Sequence, residues 1–309
     1  MNAPSAAGVR VGWGALPAAV RADLEAFLGS PVVAASNQDG GFSPGLAARV
    51  RCADGTRAFV KAVGGELNPQ TPDLHRAEAR IAAALPRDAP VPRFRYCCDD
   101  GDWVALVFDE VDGRMPALPW STSDLSRVVD ALGELGRSLT PCPLDDVPAV
   151  SSAMGADMLS YRRLLAEPPD DLDPWELRHL PALADLAESA LSILDGDTLV
   201  HLDVRADNVL LTDDRVMFVD WPWACRGAAW IDTTVLAVNA ALHGHDPDAV
   251  IAGNPLLNGV DPTPFLAGLA GTWAEACRRP APGMPTIRAF QRAQGAVTRD
   301  WVRRRTGWT

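Results

Sequence analysis

Two polar side chains lie together at the end of a short predicted hairpin in the second half of the chain. Residues 209–212 and 215–219 flank an acidic turn, a pattern that predicts two antiparallel strands. In that register residue 208 faces residue 219, so Asn208 and Asp220 lie beside each other. An amide oxygen and a carboxylate are hard-oxygen ligands of the kind that Mg²⁺ prefers. The hairpin therefore predicts a magnesium site at its open end.

A third polar residue, Asp203, lies five residues before Asn208, on the loop that enters the same end of the hairpin. A carboxylate at this position could take a proton from a substrate hydroxyl. An isolated His-x-Asp sequence is common and usually structural. The ordered set of His201, Asp203, Asn208 and a further aspartate that closes the next strand is much rarer. This run therefore predicts a catalytic loop.

A second pair of charged residues lies in the first third of the chain, on faces that are otherwise apolar. Glu78 falls on the apolar stripe of a predicted helix over 71–85, and no arginine or lysine lies one helical turn away. Lys61 is the only lysine in the chain and lies on the apolar face of a predicted strand over 56–63. Because an unpaired buried charge is costly, we expect the two side chains to pair. A partly exposed glutamate and an unrelated lysine at a strand edge remain the alternative.

The elements that must position these residues change character near residue 111. Asp54-Gly55 separates two alternating segments and predicts a β-hairpin, and two further strands are expected over 91–98 and 103–109. Besides a first helix over 17–29, helical patterns dominate the later chain, over 123–139, 174–195, 230–243, 262–279 and 285–305. A strand-rich first third and a helix-rich remainder predict an α+β protein in two lobes, residues 1–111 and 112–309.

Composition excludes several functional classes. The formal net charge of −12 argues against a nucleic-acid partner and against an anionic membrane, since both require a basic surface. It allows a cationic substrate, although a solvated acidic surface is the favoured explanation. Charged residues interrupt any signal-peptide core in the first thirty positions, and no apolar stretch is long enough to span a membrane. The six cysteines lack CxxC spacing, so we expect reduced thiols and a cytoplasmic protein.

With these residues in view, the chain resembles the aminoglycoside phosphotransferase / choline-kinase-like family of small-molecule kinases. The resemblance rests on the order of the phosphoryl-transfer residues Lys61, Glu78, His201, Asp203, Asn208 and Asp220. Residues 40–45 are similar to that family's nucleotide loop, and residues 227–232 to the segment after its metal-binding aspartate. The similarity extends from about residue 35 to residue 240.

The resemblance implies a bilobal protein-kinase-like fold that uses ATP and Mg²⁺. A small N-terminal lobe over about 30–110 would hold a five-stranded antiparallel sheet and one helix, and the C-terminal lobe would be mostly helical. The nucleotide would be bound by Lys61, which Glu78 positions, by the backbone of Asp109 to Val111 at the adenine, and by a phosphate loop containing Gly40, Gly41 and Ser43.

The same resemblance implies the roles of the later residues. Asp203 would be the catalytic base, Asn208 and Asp220 would hold Mg²⁺, and Asp232 would anchor the backbone of the catalytic loop. The chain departs from protein kinases in having Trp221-Pro222 after the metal-binding aspartate and no GxGxxG loop. We expect Arg205 to form a salt bridge with Asp207 rather than to contact substrate.

Several functions remain open at this point. Asp220 and Asp232 are only twelve residues apart, which leaves no room for a peptide-binding platform and disfavours a protein kinase. A nucleotide-binding module without turnover and a metal-assisted hydrolase are alternatives from other classes. Within small-molecule kinases, the acceptor hydroxyl could belong to an antibiotic (aminoglycoside-like, nucleoside or peptide) or to a small metabolite such as an amino alcohol or a sugar. The acidic run 170–173 could face a cationic acceptor or form a solvated loop.

Overall fold

The computed structural model describes residue 4 and residues 6–309. A five-stranded antiparallel sheet, with strand order β1-β2-β3-β5-β4, forms the first lobe. Its strands are β1 Val32–Asn37, β2 Leu46–Cys52, β3 Arg57–Gly64, β4 Phe94–Asp99 and β5 Trp103–Phe108. Strand β4 begins later than predicted, after Pro92, which has no N–H to donate to a ladder. The exposed strand β1 lacks the apolar alternation that would have given its bounds in the sequence.

Two helices cover opposite faces of this sheet. Helix α1 (Ala18–Leu28) buries Leu24 against the face that carries Val60. Helix α2 (Thr71–Ala84) packs on the other face, which carries Phe59 and Lys61. Because successive strand residues point to opposite faces, Lys61 is directed toward α2 while its neighbour Val60 enters the core beneath α1. The sheet therefore presents its lysine to the helix that carries Glu78.

The second lobe is mostly helical. Its helices are α3 Thr122–Ser138, α4 Val150–Ala153, α5 Gly155–Met158, α6 Ser160–Ala166, α7 Pro174–Ser189, α8 Ile231–Leu242, α9 Pro247–Ala252, α10 Thr263–Ala276 and α11 Ile287–Thr306. Short 3₁₀ turns occur at Trp13–Ala15, Ala190–Ser192, Ala206–Asn208 and Pro255–Leu257. The five helices predicted in this lobe are present with shifted ends. The short helices α4, α5, α6 and α9 are too brief to produce a periodic pattern in the sequence. Within the described part of the chain, no helix is long and apolar enough to cross a membrane.

Two short strand pairs in the second lobe carry the predicted catalytic region. Strand β6 (Thr198–Val200) pairs with β9 (Cys225–Gly227), and β7 (Val209–Leu211) pairs with β8 (Val216–Phe218). The pairing of Val209 with Phe218 has the predicted register. The connection from the first lobe joins this hairpin, because Arg114 and Leu211 exchange two backbone hydrogen bonds of 3.0 and 2.7 Å. The hairpin is thereby fixed to the segment that links the lobes.

The N-terminal segment and the loop between β1 and β2 are joined through Gly45. The N–H of Gly45 donates to Val9 O at 2.9 Å, and the N–H of Val11 donates to Gly45 O at 3.1 Å. Gly45 has φ +109°, and a Cβ there would overlap the carbonyl oxygen of Ala62. Only glycine fits this close approach of three backbone segments.

We expect Gly45→Ala to destabilise the protein much more than Gly55→Ala. Both positions have positive φ, which costs a non-glycine residue on the order of 1–3 kcal/mol. At Gly55 a Cβ would meet no described atom within 4 Å, so only the backbone cost applies there. Urea unfolding of both variants measures the difference. Equal losses in the two variants would show that the approach to Ala62 is unimportant.

Candidate active site

A cleft of about 270 Å³ lies between the sheet and the second lobe. Every residue predicted to bind nucleotide or metal lines it: Gly40, Gly41, Ser43, Lys61, Glu78, Asp109, Val111, Asn208 and Asp220. Asp203 lies behind this lining, in hydrogen-bond contact with Asn208. The tertiary structure thus brings the residues singled out in the sequence to one place.

Lys61 is the centre of the charged network in the cleft. Its Nζ lies 2.8 Å from each carboxylate oxygen of Glu78 and 2.6 Å from Oδ1 of Asp220. The predicted pair of Lys61 and Glu78 is confirmed. The contact with Asp220 was not predicted, and it joins the first lobe to the end of the β7–β8 hairpin.

One ammonium shared by two carboxylates leaves the cluster with an excess negative charge. Burial raises the pKa of Glu78 to about 7, although the charge of Lys61 opposes the change. Burial acts in the same sense on Asp220, but Lys61 outweighs it and lowers the pKa of Asp220 to about 2. Burial alone would lower the pKa of Lys61, yet the two carboxylates raise it above its ordinary value. Lys61 is therefore charged, and Asp220 is ionised and available as an oxygen ligand.

The predicted catalytic loop is anchored through its backbone by Asp232. The carboxylate of Asp232 accepts from the N–H of His201 at 2.8 Å and from the N–H of Leu202 at 2.9 Å. This is the anchoring that the resemblance implied. Leu202 has φ +65°, a strained value for a side chain of this kind, and the two hydrogen bonds stabilise that conformation.

His201 supports the loop rather than facing the cleft. Its Nδ1 accepts from the N–H of Asp203 at 3.2 Å, which leaves Nε2 as the donor to Val219 O at 2.9 Å. The ring is fully buried and packs against Trp221, with 4.6 Å between ring centroids. Burial lowers the pKa of His201, so the imidazole is neutral. His201 thereby joins the loop to the segment that follows strand β8 and contains Asp220.

The carboxylate of Asp203 is held by two neighbours. Asn208 Nδ2 donates to Asp203 Oδ2 at 3.1 Å and to its backbone oxygen at 2.8 Å, and Arg205 Nη1 donates to Oδ1. Arg205 also binds both oxygens of Asp207 at 3.0 Å, which confirms the predicted salt bridge. Burial raises the pKa of Asp203 to about 6, with Arg205 opposing the change. A carboxylate with this pKa takes up a proton more readily than an exposed aspartate.

The ends of the hairpin offer oxygen ligands to a divalent cation. The N–H of Val219 donates to Asn208 O at 3.0 Å, which places the next residue, Asp220, beside Asn208. Among residues 4 and 6–309, no hydrogen bond uses Asn208 Oδ1 or Asp220 Oδ2, and no group of three His, Cys, Asp or Glu side chains is arranged to hold a metal. Two protein oxygens fit Mg²⁺, which commonly takes its other ligands from water and phosphate.

The predicted phosphate loop is hydrogen-bonded to the predicted catalytic loop. Gly40 and Gly41 both have positive φ, and the N–H of Gly41 donates to Asp207 Oδ2 at 3.1 Å. Arg10 donates to the carbonyl oxygens of Gly40 and Ser43. Sequence analysis missed Arg10, because it lies 30 residues before Gly40 and no local pattern connects the two.

The remaining predicted residues differ in how they meet the cleft. The side chain of Asp109 pairs with Arg95 at 2.7 Å and its N–H donates to Arg93 O at 2.9 Å, so its carbonyl oxygen is the polar group left to face a ligand. The acidic run 170–173 is structural: Asp171 pairs with Arg278 at 2.7 Å, and Asp173 caps helix α7 through the N–H of Trp175 at 2.9 Å. These contacts argue against the hypothesis that this run faces a cationic acceptor.

Comparison with known proteins agrees with this geometry. Residues 43–294 match the model of the phosphotransferase enzyme family (APH). An aminoglycoside 3'-phosphotransferase from Streptomyces fradiae is 30% identical over 206 residues, which cover 59% of this chain and 71% of that protein.

Solved structures share the fold. The choline kinase LicA from Streptococcus pneumoniae superposes with a TM-score of 0.61 at 13% identity, covering 91% of this chain and 98% of the other. A spectinomycin phosphotransferase in complex with ADP and spectinomycin has a TM-score of 0.59 at 11% identity, covering 91% and 96%. The bilobal α+β fold predicted from the sequence is thereby confirmed. The chain, with a family model spanning most of its length, belongs to the phosphotransferase enzyme family and is a small-molecule kinase.

Proposed function

We propose that this kinase transfers the γ-phosphate of ATP, in the presence of Mg²⁺, to a hydroxyl group of an antibiotic that is aminoglycoside-like or of the nucleoside or peptide class. The observation that carries the reaction is the network of Lys61, Glu78 and Asp220, which adjoins Asn208 and Asp203 in one cleft. The relative from Streptomyces fradiae supports an antibiotic as acceptor. Family membership makes the chain an enzyme, which argues against the non-catalytic alternative.

Lys61 and the glycine loop are the groups that would bind the nucleotide. Lys61 would bind phosphate oxygens. Both carboxylate oxygens of Glu78 accept from its ammonium and fix its position. The N–H of Gly40 and, in exchange for its hydrogen bond to Asp207, that of Gly41 would approach the phosphates, and the hydroxyl of Ser43 would add a further donor. The backbone from Asp109 to Val111, which lines the same cleft, would meet the adenine.

Asn208 and Asp220 would bind the divalent cation, which supplies positive charge to phosphate oxygens when it is bound. Asp203 would orient the acceptor hydroxyl and receive its proton. Its contact with Asn208 keeps this base next to the cation ligands. Arg205 holds the other carboxylate oxygen, so the base has one fixed orientation.

The lobe boundary that we propose lies at Val111. Strand β5 ends at Phe108, and Arg114 is already paired with Leu211 in the second lobe, which supports a boundary between them. A kinase that consumes ATP needs a compartment that supplies it, and this supports the cytoplasm as its location.

We expect a phosphorylated product from at least one antibiotic in a screen of acceptors with ATP and Mg²⁺. The panel contains aminoglycosides, nucleoside and peptide antibiotics, and a second arm of choline, ethanolamine and sugars. Mass spectrometry detects the gain of one phosphoryl group. Chelation with EDTA should abolish the product and added Mg²⁺ should restore it. Turnover confined to the metabolite arm would overturn the antibiotic assignment while retaining the reaction.

We expect Lys61→Arg to raise KM for ATP and to lower kcat. A planar guanidinium does not reproduce the point charge that lies 2.8 Å from both oxygens of Glu78. The exposed Arg51, on the adjacent strand β2, provides the control, and Arg51→Lys should leave both constants unchanged. Steady-state kinetics with a fixed acceptor measures the effect. Unchanged constants for Lys61→Arg would contradict the proposed role of the pair.

We expect Asp220→Ala to abolish detectable turnover and Asp203→Asn to leave a small residue of it. Phosphoryl transfer depends mainly on positioning and electrostatics, whereas general-base catalysis contributes roughly 10²–10⁴-fold. Nucleotide binding should be nearly intact in Asp203→Asn. Asp213→Asn, in the exposed turn of the same hairpin, is the control and should match the parent enzyme. Full activity of Asp203→Asn would refute the assignment of this loop as catalytic.

A further inference from the structure

The cleft contains more positive charge than Lys61 alone. Four basic side chains line it: Arg10, Arg49, Lys61 and Arg114. Their surroundings differ, and this difference separates a cation that stabilises the protein from one that is available to a ligand.

Three of these four cations are already paired with carboxylates. Each pair is within salt-bridge distance: Lys61 with Glu78 and Asp220, Arg49 with Glu110, and Arg114 with Asp124. Arg10 has no carboxylate within 4.0 Å among the residues that the structure describes. It is the one cation lining the described cleft whose charge is not balanced by direct contact.

The contacts that Arg10 does make use only part of its guanidinium. Nη1 donates to Ser43 O and Nη2 donates to Gly40 O, both of them neutral carbonyls of the glycine loop. A guanidinium carries five N–H groups, so donors remain after these two hydrogen bonds. The side chain is half-buried, burial lowers the pKa of Arg10, and a guanidinium remains protonated in proteins. A partly desolvated cation of this kind favours an anion beside it.

The backbone that carries Arg10 is fixed on both sides. Val9 and Val11 are hydrogen-bonded to Gly45 at the end of the glycine loop. In the second lobe, the N–H of Val9 donates to Gly283 O at 3.3 Å, and the N–H of Ala7 donates to Thr286 Oγ1 at 3.1 Å. The N-terminal segment therefore bridges the two lobes and holds Arg10 at the cleft. Such fixed positioning reduces the entropy lost when a ligand binds.

We propose that Arg10 is a second phosphate-binding cation of the nucleotide site, contacting the phosphates with the N–H groups that the loop carbonyls do not use. This inference rests on the proposed use of ATP. It concerns a residue that lies outside the segment matched by the family model, which begins at residue 43. Because Lys61 is already shared by two carboxylates, a polyphosphate entering this acidic cleft requires a further positive charge.

The test compares binding of adenosine, AMP, ADP and ATP by isothermal titration calorimetry without acceptor. We expect Arg10→Ala to weaken the binding of ADP and ATP by about 10- to 100-fold, as for the loss of a charge-assisted hydrogen bond. The affinity for adenosine should be nearly unchanged. Arg10→Lys keeps the charge and should recover part of the loss. Arg114→Ala is the matched control, because this cation lines the same cleft but is paired with Asp124.

The outcomes separate this inference from the proposed function. If the parent enzyme binds ATP and Arg10→Ala binds it equally well, the role of Arg10 is wrong while the kinase assignment stands. An equal loss for adenosine and ATP would also overturn the inference, since Arg10 would then only shape the loop. If the parent enzyme binds no nucleotide, the proposed function fails and this inference with it. Thermal melting checks folding, and Arg10→Gln replaces Arg10→Ala if the latter does not fold.

Discussion

The rest of the site depends on the ion pairs that the ammonium of Lys61 forms. This ammonium comes from a strand of the first lobe, pairs with a helix of the same lobe through Glu78, and reaches Asp220 in the second lobe. Removing the ammonium would leave the carboxylates of Glu78 and Asp220 close together without a cation, which is costly in a low-dielectric cleft. The network therefore holds sheet, helix and hairpin at one mutual position, and the same atoms are those that a nucleotide would meet.

Backbone strain accompanies this network at two positions. Leu202 and Asp220 both have positive φ, and neither is glycine. Such conformations cost about 1–3 kcal/mol each and persist only where the surroundings determine them. Asp232 holds the first through two N–H groups, and Lys61 holds the carboxylate of the second. The strain lies where the proposed base and cation ligand must be aimed, as is common at functional sites.

The tryptophan that follows Asp220 has a structural role. Trp221 is almost fully buried, packs against the ring of His201, and donates from Nε1 to Phe218 O at 3.0 Å. The tryptophan thus links the loop that carries Asp203 to strand β8, which precedes Asp220.

The sequence alone determined the features that follow from local periodicity. Strand and helix patterns placed Lys61 and Glu78 on apolar faces, and the hairpin register brought Asn208 beside Asp220. Both inferences depend only on residues a few positions apart in the sequence. The salt bridge from Lys61 to Asp220 spans 159 residues, and the hydrogen bond from Gly41 to Asp207 spans 166. Only the packing of the two lobes decides contacts of this length, since no pattern within one element specifies its distant partner. The same holds for Arg10. Its place at the cleft is set by the hydrogen bonds that join its own N-terminal segment to Gly45 and Thr286.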